Sequence, residues 1–410
     1  MIKGSADVAS RAKSSFIIVT FIMACLNLRP SIVSVGPILK SINHTLGMSS
    51  SLSSLLTSIP VFCMGAFSPF AVKARQLFGN ARAIWLSLFL IGLSTLLRLV
   101  TMSSAFLLLM ALLVGIGIGL SGPLLSGFVK QHFPKHTSVM IGLYSVMMAM
   151  GAAISSGFTP SIQAAAHGSW RMALASWTIL ALIVLPIWWF VIARHEKKPL
   201  REEHHMDKSS KGLPLKSKRA WIFTLFFGVA STIFYTLMAW IAPILVDMGY
   251  SKNYAASTLT LFNLVQIPAS LFMPILIKKL FSRLFWLLLG SFMEIAGLLI
   301  LAFTSMSPVI AAVLMGLGVG GLFSLALFLP IDEVDDPDEA NSWAAMTQSG
   351  GYIIASFGPF IIGSILDVTG STHSALYALI IVGIILVAIQ FIIVLTKKEE
   401  KKRSLLINIK

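Results

Sequence analysis

One arginine stands inside the first long apolar stretch of the chain, which covers residues 16–39. Such a stretch can cross the roughly 30 Å hydrocarbon core of a bilayer as a helix. Arg29 lies close to its middle, where a guanidinium costs about 2.5–3.5 kcal/mol on insertion scales and needs a cavity, water or a counter-charge. Pro30 and Pro37 follow it, and each removes a backbone donor and loosens the helix. This spacing predicts a binding site for an anion or a dipole; a structural arginine bonded to carbonyls that the prolines free is the alternative.

Other polar side chains inside apolar stretches could also contact a substrate. A helix–helix hydrogen bond, worth about 0.6 kcal/mol, is the alternative for most of them. They are Tyr235, Trp240, Asn263, Gln266, Gln348 and Tyr352. Trp240 could instead anchor the chain in the interfacial aromatic belt, and Tyr144 is a weaker candidate of the same kind. Glu294 lies deep in an apolar stretch, where it could couple proton movement or make a structural hydrogen bond.

The composition is that of a membrane protein with many spans. The 410 residues are 56% hydrophobic and 11% charged, and the mean hydropathy is +0.87. The net charge of +15 does not indicate nucleic-acid binding, because the basic residues lie between apolar stretches. Cys25 and Cys63 both fall inside apolar stretches, which excludes a disulfide framework. The long apolar stretch after Lys13 favours a retained anchor over a signal peptide.

Twelve apolar stretches predict an all-α protein with twelve transmembrane spans. They cover residues 16–39, 50–72, 83–101, 104–129, 138–162, 171–193, 220–246, 254–277, 284–303, 307–330, 341–365 and 373–396. We therefore expect a six-span half over 1–193, a hydrophilic linker over 194–219, a second six-span half over 220–396 and a tail over 397–410.

The positions of the basic residues predict the orientation of these spans. Lys40, Arg171 and Lys252 fall on one side, Arg29 and Arg98 fall within spans, and the other Lys and Arg fall on the opposite side. By the positive-inside rule, the termini and the linker are then cytoplasmic. Arg98 lies near the end of its span, so we expect it to reach the membrane surface along its flexible stem.

Three short motifs occur in both halves at nearly one offset, of 206 (242 minus 36), 201 (315 minus 114) and 208 (267 minus 59) positions. The pairs are Gly36–Leu39 with Ala242–Leu245, Val114–Gly119 with Met315–Gly320, and Ile59–Pro60 with Ile267–Pro268. This pattern favours a duplication of six spans, which is typical of one large class of secondary transporters with a midplane site. The first offset makes Tyr235 the span 7 counterpart of Arg29.

These features resemble the major facilitator superfamily over nearly the whole chain. The loop over residues 73–82 is similar to the signature loop of the superfamily, although it lacks the acidic residue usual there. Further motifs resemble the cyanate permease and 2-nitroimidazole exporter family. These are Asn27–Pro30, Ser34–Pro37, Tyr235–Pro243, the glycines of span 10, Gly350–Tyr352 and Gly358–Pro359.

The resemblance implies two pseudo-symmetric six-helix bundles, with spans 1, 4, 7 and 10 around a central cavity. It implies a transporter of a small anion, such as cyanate, or of a related small polar compound, that works by alternating access at the plasma membrane. The alternatives are a proton-driven exporter of small drugs or nitro-heterocycles and a non-transporting membrane sensor. We expect a monomer in a lipid bilayer, with a proton as a candidate coupling ion and no nucleic-acid partner.

Enzyme chemistry finds no support in the sequence. A Walker-type phosphate loop, an HExxH motif and a CxxC motif are all missing, and no nucleophile–base pair stands at membrane depth. We therefore expect no catalytic residue, no metal and no cofactor.

One acidic loop, residues 332–339, follows span 10 on the predicted cytoplasmic side, and its counterpart after span 4 is basic. We expect an ion-pair latch between the halves that closes this side in the outward-facing state. The candidate gate residues are Lys130, Lys135, Asp332, Asp335 and Asp336. Two solvated loops, with exposed pairs worth under about 1 kcal/mol each, are the alternative.

Overall fold

The computed structural model describes residues 16–196, 213–334 and 336–407. Over these residues the chain is helical, without a strand, and twelve helical segments are long and apolar enough to cross a membrane. Spans 1–12 are Phe16–Leu46, Ser50–Phe67, Asn80–Val100, Ser104–His132, Val139–Ala165, Trp170–Val191, Lys218–Asp247, Lys252–Ile277, Arg283–Phe303, Pro308–Asp332, Glu339–Thr369 and Thr372–Thr396. The prediction of an all-α membrane protein with twelve spans is confirmed.

Several helices extend past their spans, and two spans are interrupted. The extended helices are Thr137–Ala165, Lys252–Lys279, Pro337–Thr369 and Thr372–Ile407. Span 6 consists of two helices, Trp170–Ala175 and Thr178–Val191, and a separate helix, Phe70–Phe78, follows span 2. Serine side chains satisfy orphan backbone N–H groups where spans begin; Ser49, for example, accepts from the amide of Leu52.

Span 1 is broken where the prolines stand. A helix over residues 16–27 is followed by a turn at Leu28 and Arg29, the short helix Pro30–Val33 and the 3-10 turn Gly36–Ile38. Proline lacks a backbone donor, so the regular ladder cannot pass through this segment. The helix Leu39–Leu46 then completes the span and ends at Gly47, which adopts a left-handed conformation with φ 60°. The break leaves backbone groups without their regular helical hydrogen-bond partners at the depth of Arg29.

Glycines bring the helices of each half into close contact. In span 10, a Cβ atom at Gly320 would lie 2.7 Å from Cα of Gln266 in span 8. In span 4, a Cβ atom at Gly115 would lie 2.6 Å from Cα of Pro60 in span 2. Only a residue without a side chain permits backbones to approach this closely. The glycine motif that recurs in both halves therefore performs the same packing in each.

The two halves pack along two pairs of spans. Span 2 meets span 11, where the hydroxyls of Ser68 and Ser349 are 3.1 Å apart. Span 5 meets span 8, where the hydroxyls of Ser156 and Thr260 are also 3.1 Å apart. Span 7 is the most enclosed span among the described residues, with 83% of an apolar stretch of 18 residues buried. This arrangement leaves spans 1 and 7 facing each other near the middle of the molecule.

Contacts between the halves also close one face of the molecule. We call the face on which spans 1, 7 and 11 end the distal face, and the opposite one, next to the predicted linker, the linker face. On the distal face, the carboxylate of Asp367 accepts from the amides of Ser50 (2.6 Å) and Ser51 (2.7 Å). Lys40 and Asp247 form an ion pair there at the ends of spans 1 and 7. These contacts tie the two halves together at the distal face.

The predicted domain boundaries fall at the linker face. Residues 197–212 of the predicted linker lie outside the described residues. The helix of span 7 already begins at Lys218, two positions before the predicted start of the second half. The division of the chain into two halves at this linker stays a prediction.

Candidate functional site

The break in span 1 places Arg29 in the interior of the molecule. Its side chain is 5% exposed. Nη1 donates to the hydroxyl of Tyr235 in span 7 at 3.2 Å. The central guanidinium carbon lies 5.5 Å from the ring centroid of Tyr235 and 5.6 Å from that of Phe234, within the range of cation–π attraction. The two residues related by the sequence offset are therefore in direct contact.

Two further tyrosines complete the polar surroundings of Arg29. Tyr352 of span 11 and Tyr144 of span 5 both lie within electrostatic range of the guanidinium. The rings of Tyr235 and Tyr352 stand 6.2 Å apart, edge to face. Hydroxyls from three spans thus surround one cation that a fourth span supplies.

Phenylalanines form an apolar wall behind these hydroxyls. Phe234 stacks on Phe323 of span 10 at 5.1 Å between ring centroids. Phe227 of span 7 meets Phe323 at 5.6 Å and Tyr352 at 5.0 Å. We call Phe227, Phe234, Tyr235, Phe323 and Tyr352 the aromatic wall. Offset and edge-to-face contacts of this kind stabilise aromatic pairs by about 0.5–1.5 kcal/mol beyond their buried area.

The charge of Arg29 has no carboxylate beside it in the described part of the chain. The ion pairs there lie at the two faces of the molecule. Tyr235 is the only described hydrogen-bond partner of the guanidinium, which carries five N–H donors in a planar fork. An uncompensated cation with open donors, held between aromatic rings, can bind a small anion or the negative end of a dipole. Among the described residues, no group of three His, Cys, Asp or Glu could hold a metal ion.

The structure does not bring every candidate residue to Arg29. Trp240 is 3% exposed, and its Nε1 donates to the carbonyl of Pro359 in span 11 at 3.1 Å, which is a helix–helix contact and not an interfacial anchor. Gln266 donates to the carbonyl of Phe262 in its own helix. Asn263 is 2% exposed, and its Nδ2 has no partner among the described residues. None of the described contacts connects these side chains to Arg29.

Gln348 stands four positions before Tyr352 in span 11. Residues four apart share a helix face, so Gln348 lies on the side that carries Tyr352 towards the centre. It is half-buried. Gln348 therefore lies on the same helix face as Tyr352, the residue of span 11 within electrostatic range of Arg29.

Glu294 lies away from this cluster, inside the second half. It is 1% exposed, and neither carboxyl oxygen has a hydrogen-bond partner among the described residues. Gly318 of span 10 packs against its backbone, and a Cβ atom at Gly383 of span 12 would lie 4.0 Å from Oε1. An ionised carboxyl without a partner is very costly at such a position. A bound proton would remove this cost.

No described ion pair joins two of the candidate gate residues. Asp332 pairs with Arg283 at 2.9 Å, within its own half. Lys130 is exposed, the side chain of Lys135 lies outside the described part, and Asp336 is half-buried. Asp335 lies outside the described residues. The latch is expected in the outward-facing state, whereas this conformation is closed at the distal face, so the latch stays a prediction.

An ion-pair cluster at the start of the acidic loop was missed from the sequence. Glu333 is bound by Arg219 at 2.6 Å and by Arg283 at 3.0 Å. Arg219 begins span 7 and is 7% exposed. The cluster therefore joins the start of span 7 to the end of span 10. Arg219 and Glu333 are 114 positions apart in the sequence, so no local pattern predicts that they meet.

A second carboxylate that sequence reasoning missed lies in the first half. The loop over residues 73–82 has no acidic residue of its own. Glu196 follows the end of span 6 in the sequence, and its carboxylate contacts the beginning of span 3. It accepts from the amides of Ala81 (3.1 Å) and Arg82 (3.2 Å). A Cβ atom at Gly79 would meet Oε2 of Glu196 at 2.6 Å. A carboxylate is stabilised at the positive, N-terminal end of a helix, here the helix Asn80–Leu97. Glu196 therefore supplies the negative charge that the loop over residues 73–82 lacks.

The expectation for Arg98 is wrong. Its side chain is 1% exposed and does not reach the membrane surface. Nη1 donates to the carbonyl of Ser31 at 2.8 Å. That carbonyl is free because the break in span 1 sends the amide of Val35 to Ile32 instead. Arg98 thus satisfies the broken backbone, which is the structural role that had been weighed for Arg29.

The chain is similar to known membrane transporters in sequence and in fold. The family model of the Major Facilitator Superfamily matches residues 16–356. The chain is 30% identical to the cyanate transport protein CynX of Escherichia coli (strain K12), covering 91% of this chain and 96% of that protein. It is 26% identical to the 2-nitroimidazole transporter of the same organism, covering 90% and 93%. A solved structure of a mutant of the nucleoside transporter NupG has a TM-score of 0.76 at 10% identity, covering 93% of this chain and 99% of that one.

Proposed function

This chain belongs to the Major Facilitator Superfamily, and we propose that it carries a small anion, such as cyanate, or a related small polar compound. The chain is a multi-pass membrane transporter, similar over about nine tenths of its length to transporters. We propose that its substrate binds at Arg29.

One observation carries the proposal. Arg29 is buried at mid-span, and no carboxylate neutralises it within the described part of the chain. A cation at membrane depth is stabilised by water or by a counter-charge, and a bound anion supplies that charge. The planar guanidinium fork suits a linear or carboxylate-like anion. The tyrosine hydroxyls of spans 5, 7 and 11 add donors around the same point.

The cycle we propose uses the two halves as rocking units around this site. Closure at the distal face, by Asp367 and by the Lys40–Asp247 pair, leaves the linker face as the exit in this conformation. Breaking those contacts and closing the linker face would present Arg29 to the other side. We propose that both termini are cytoplasmic, that the membrane is the plasma membrane and that the monomer is the working unit. Glu294 is the proposed proton-coupling group.

A second candidate is a proton-driven exporter of nitro-heterocycles or other small drugs. The aromatic wall favours it, because five aromatic rings in mutual contact stand beside the cation and a planar compound could pack against them. A neutral planar compound could stack there while its polar group faces Arg29. A non-transporting sensor is the third reading, with no observation in its favour.

The test is ligand-dependent thermal stabilisation of purified protein and of two variants. A ligand at 100 times its dissociation constant stabilises the folded state by about 2.7 kcal/mol. We expect cyanate to raise the melting temperature of the wild type, to have little effect on Arg29→Gln and to have a reduced effect on Arg29→Lys, which keeps the charge but loses the fork.

The other outcomes separate the alternatives. An equal response of the wild type and Arg29→Gln to cyanate would show that Arg29 is structural. A response of the wild type to neutral nitro-heterocycles alone would favour the exporter. Tracer exchange in proteoliposomes decides between transport and sensing, since a sensor moves no tracer.

A further inference from the structure

A cavity lined mostly by polar side chains lies at the distal face, away from Arg29. Its volume is about 490 Å³, within the roughly 300–1,000 Å³ of small-molecule sites. It is bounded by the ends of spans 1 and 5 and the beginnings of spans 6 and 8. Its lining residues are Lys40, Ser41, His44, Thr45, Pro160, Gln163, Ala164, Gly168, Trp170, Lys252 and Asn253. The wall thus comes from both halves of the molecule.

The lining is basic and carries no acidic side chain. Lys252 reaches the hydroxyl of Ser41 at 3.5 Å, and no described carboxylate neutralises it. Lys40 pairs with Asp247, which does not line the cavity. His44 is exposed on the same wall. Two ammonium groups opposed by one carboxylate leave the cavity with a net positive charge.

Two further features of the wall offer hydrogen-bond donors. The helix Lys252–Lys279 begins at this cavity, so the positive end of its dipole lies there; Ser251 caps the amide of Tyr254, while Lys252 and Asn253 of the first turn line the cavity. Trp170 is 2% exposed, and its Nε1–H has no acceptor among the described residues. A buried indole N–H usually finds a partner. The cavity therefore combines positive charge with donors that are not yet used.

We propose that this cavity binds a phosphate-bearing anion, either a soluble organophosphate or the headgroup of an anionic phospholipid. Phosphate groups bind at helix N-termini and beside lysines. The cavity lies where spans end, at the depth of a headgroup layer, and it is open enough for a soluble molecule. A bound anion would contact Lys40 of the first half and Lys252 of the second. It would therefore hold the distal face closed, whatever the central site carries.

The test measures the melting temperature in nanodiscs and separates the two sources. One arm adds glycerol phosphate to protein in phosphatidylcholine; the other replaces part of that lipid with phosphatidylglycerol. We expect a rise of several degrees for the wild type in at least one arm and less than half of that rise for Lys252→Gln. Lys73→Gln, an exposed lysine at the linker face, is the matched control and should respond like the wild type.

Two variants place the response at this cavity. Arg29→Gln should keep the response, because its side chain lies in the central site. Trp170→Phe should reduce it, because only the indole donor is removed. The proposal is overturned by a wild-type response in neither arm, by an equal response of Lys252→Gln, or by loss of the response in Arg29→Gln alone. A rise with phosphatidylglycerol only identifies the lipid as the source, and one with glycerol phosphate identifies the soluble anion.

Discussion

The hydroxyl of Tyr235 is the one described group that orients the guanidinium of Arg29. Its distance of 3.2 Å to Nη1 is that of an ordinary hydrogen bond, and a bond to a charged group contributes about 1.5–3 kcal/mol. The same hydroxyl lies 3.8 Å from the sulfur of Met64 in span 2. Tyr235 thus links spans 1, 2 and 7 at the level of the site.

We predict that Tyr235→Phe weakens transport without unfolding the protein. The ring keeps its packing and cation–π contact, but the guanidinium loses its fixed orientation. The KM for the transported anion should rise about tenfold, which corresponds to about 1.4 kcal/mol, as measured by tracer uptake in proteoliposomes. Tyr377→Phe, at an exposed tyrosine of span 12, is the control. An unchanged KM would remove the hydroxyl of Tyr235 from the site.

We also predict the effect of replacing Glu294 by glutamine. Because its carboxyl is buried without a described partner, Glu294→Gln should fold and melt like the wild type. If Glu294 binds the coupling proton, this variant loses accumulation driven by a pH gradient but keeps exchange of labelled for unlabelled substrate. Both activities are measured in the same proteoliposomes. Gradient-driven accumulation that survives in Glu294→Gln would leave Glu294 a structural role only.

At the scale of elements, the broken first span decides where the site can be. The prolines open its backbone next to Arg29, and Arg98 of span 3 donates to the freed carbonyl of Ser31. The backbone is thereby satisfied without the help of Arg29, whose donors stay available. Irregular backbone at membrane depth occurs where it is buried in protein or lines a cavity, and this break is buried in protein.

We predict that Gly320→Ala is strongly destabilising, whereas Gly142→Ala is not. A Cβ atom at Gly320 would meet Gln266 at 2.7–2.8 Å on backbone atoms that cannot move aside. Overpacking of this kind costs about 1–3 kcal/mol. A Cβ atom at Gly142 has no heavy atom within 4 Å, so that variant is the matched control. Melting temperatures compare the two, and equal values would contradict the close approach of spans 8 and 10.

Periodic and repeated features made these elements predictable from the sequence. Length and hydropathy predicted twelve spans, and the prolines predicted the loosening of span 1. The repeat offset aligned Tyr235 with Arg29, which are in contact. Facing spans of a duplicated bundle place equivalent positions opposite each other, so this contact followed from the repeat alone.

The rest depended on contacts that leave no local trace. The chain has 27 phenylalanines, and nothing in their spacing distinguishes Phe234 or Phe323 from those that face lipid. The sequence shows that Arg98 lies near the end of a span, which is why we expected it at the surface. It does not show that the carbonyl of Ser31 is open to accept from Arg98. Glu196 lies 115 positions from the amide of Ala81 that it accepts from. Such partners become visible only when the spans are packed.

At the scale of the whole molecule, the contacts between halves differ between the two faces. The distal face carries the Asp367 contacts with the start of span 2 and the Lys40–Asp247 pair. At the linker face, Asp332 and Glu333 pair with arginines of their own half. Exposed ion pairs contribute little singly, but two charge-assisted bonds to backbone amides are stronger. Asp367 is therefore the stronger of the described closures.

We predict that Asp367→Ala opens the distal face. Cys25 and Cys63 are fully buried, so a cysteine introduced as Ser34→Cys, just distal of Arg29, reports access to the site. A membrane-impermeant maleimide added at the distal face should label it slowly in the otherwise unchanged protein and several times faster with Asp367→Ala. Asp332→Asn, which removes a charge at the linker face, should leave this rate unchanged. Equal labelling with and without Asp367 would mean that the packing of spans 2 and 11, and not the carboxylate, keeps the face closed.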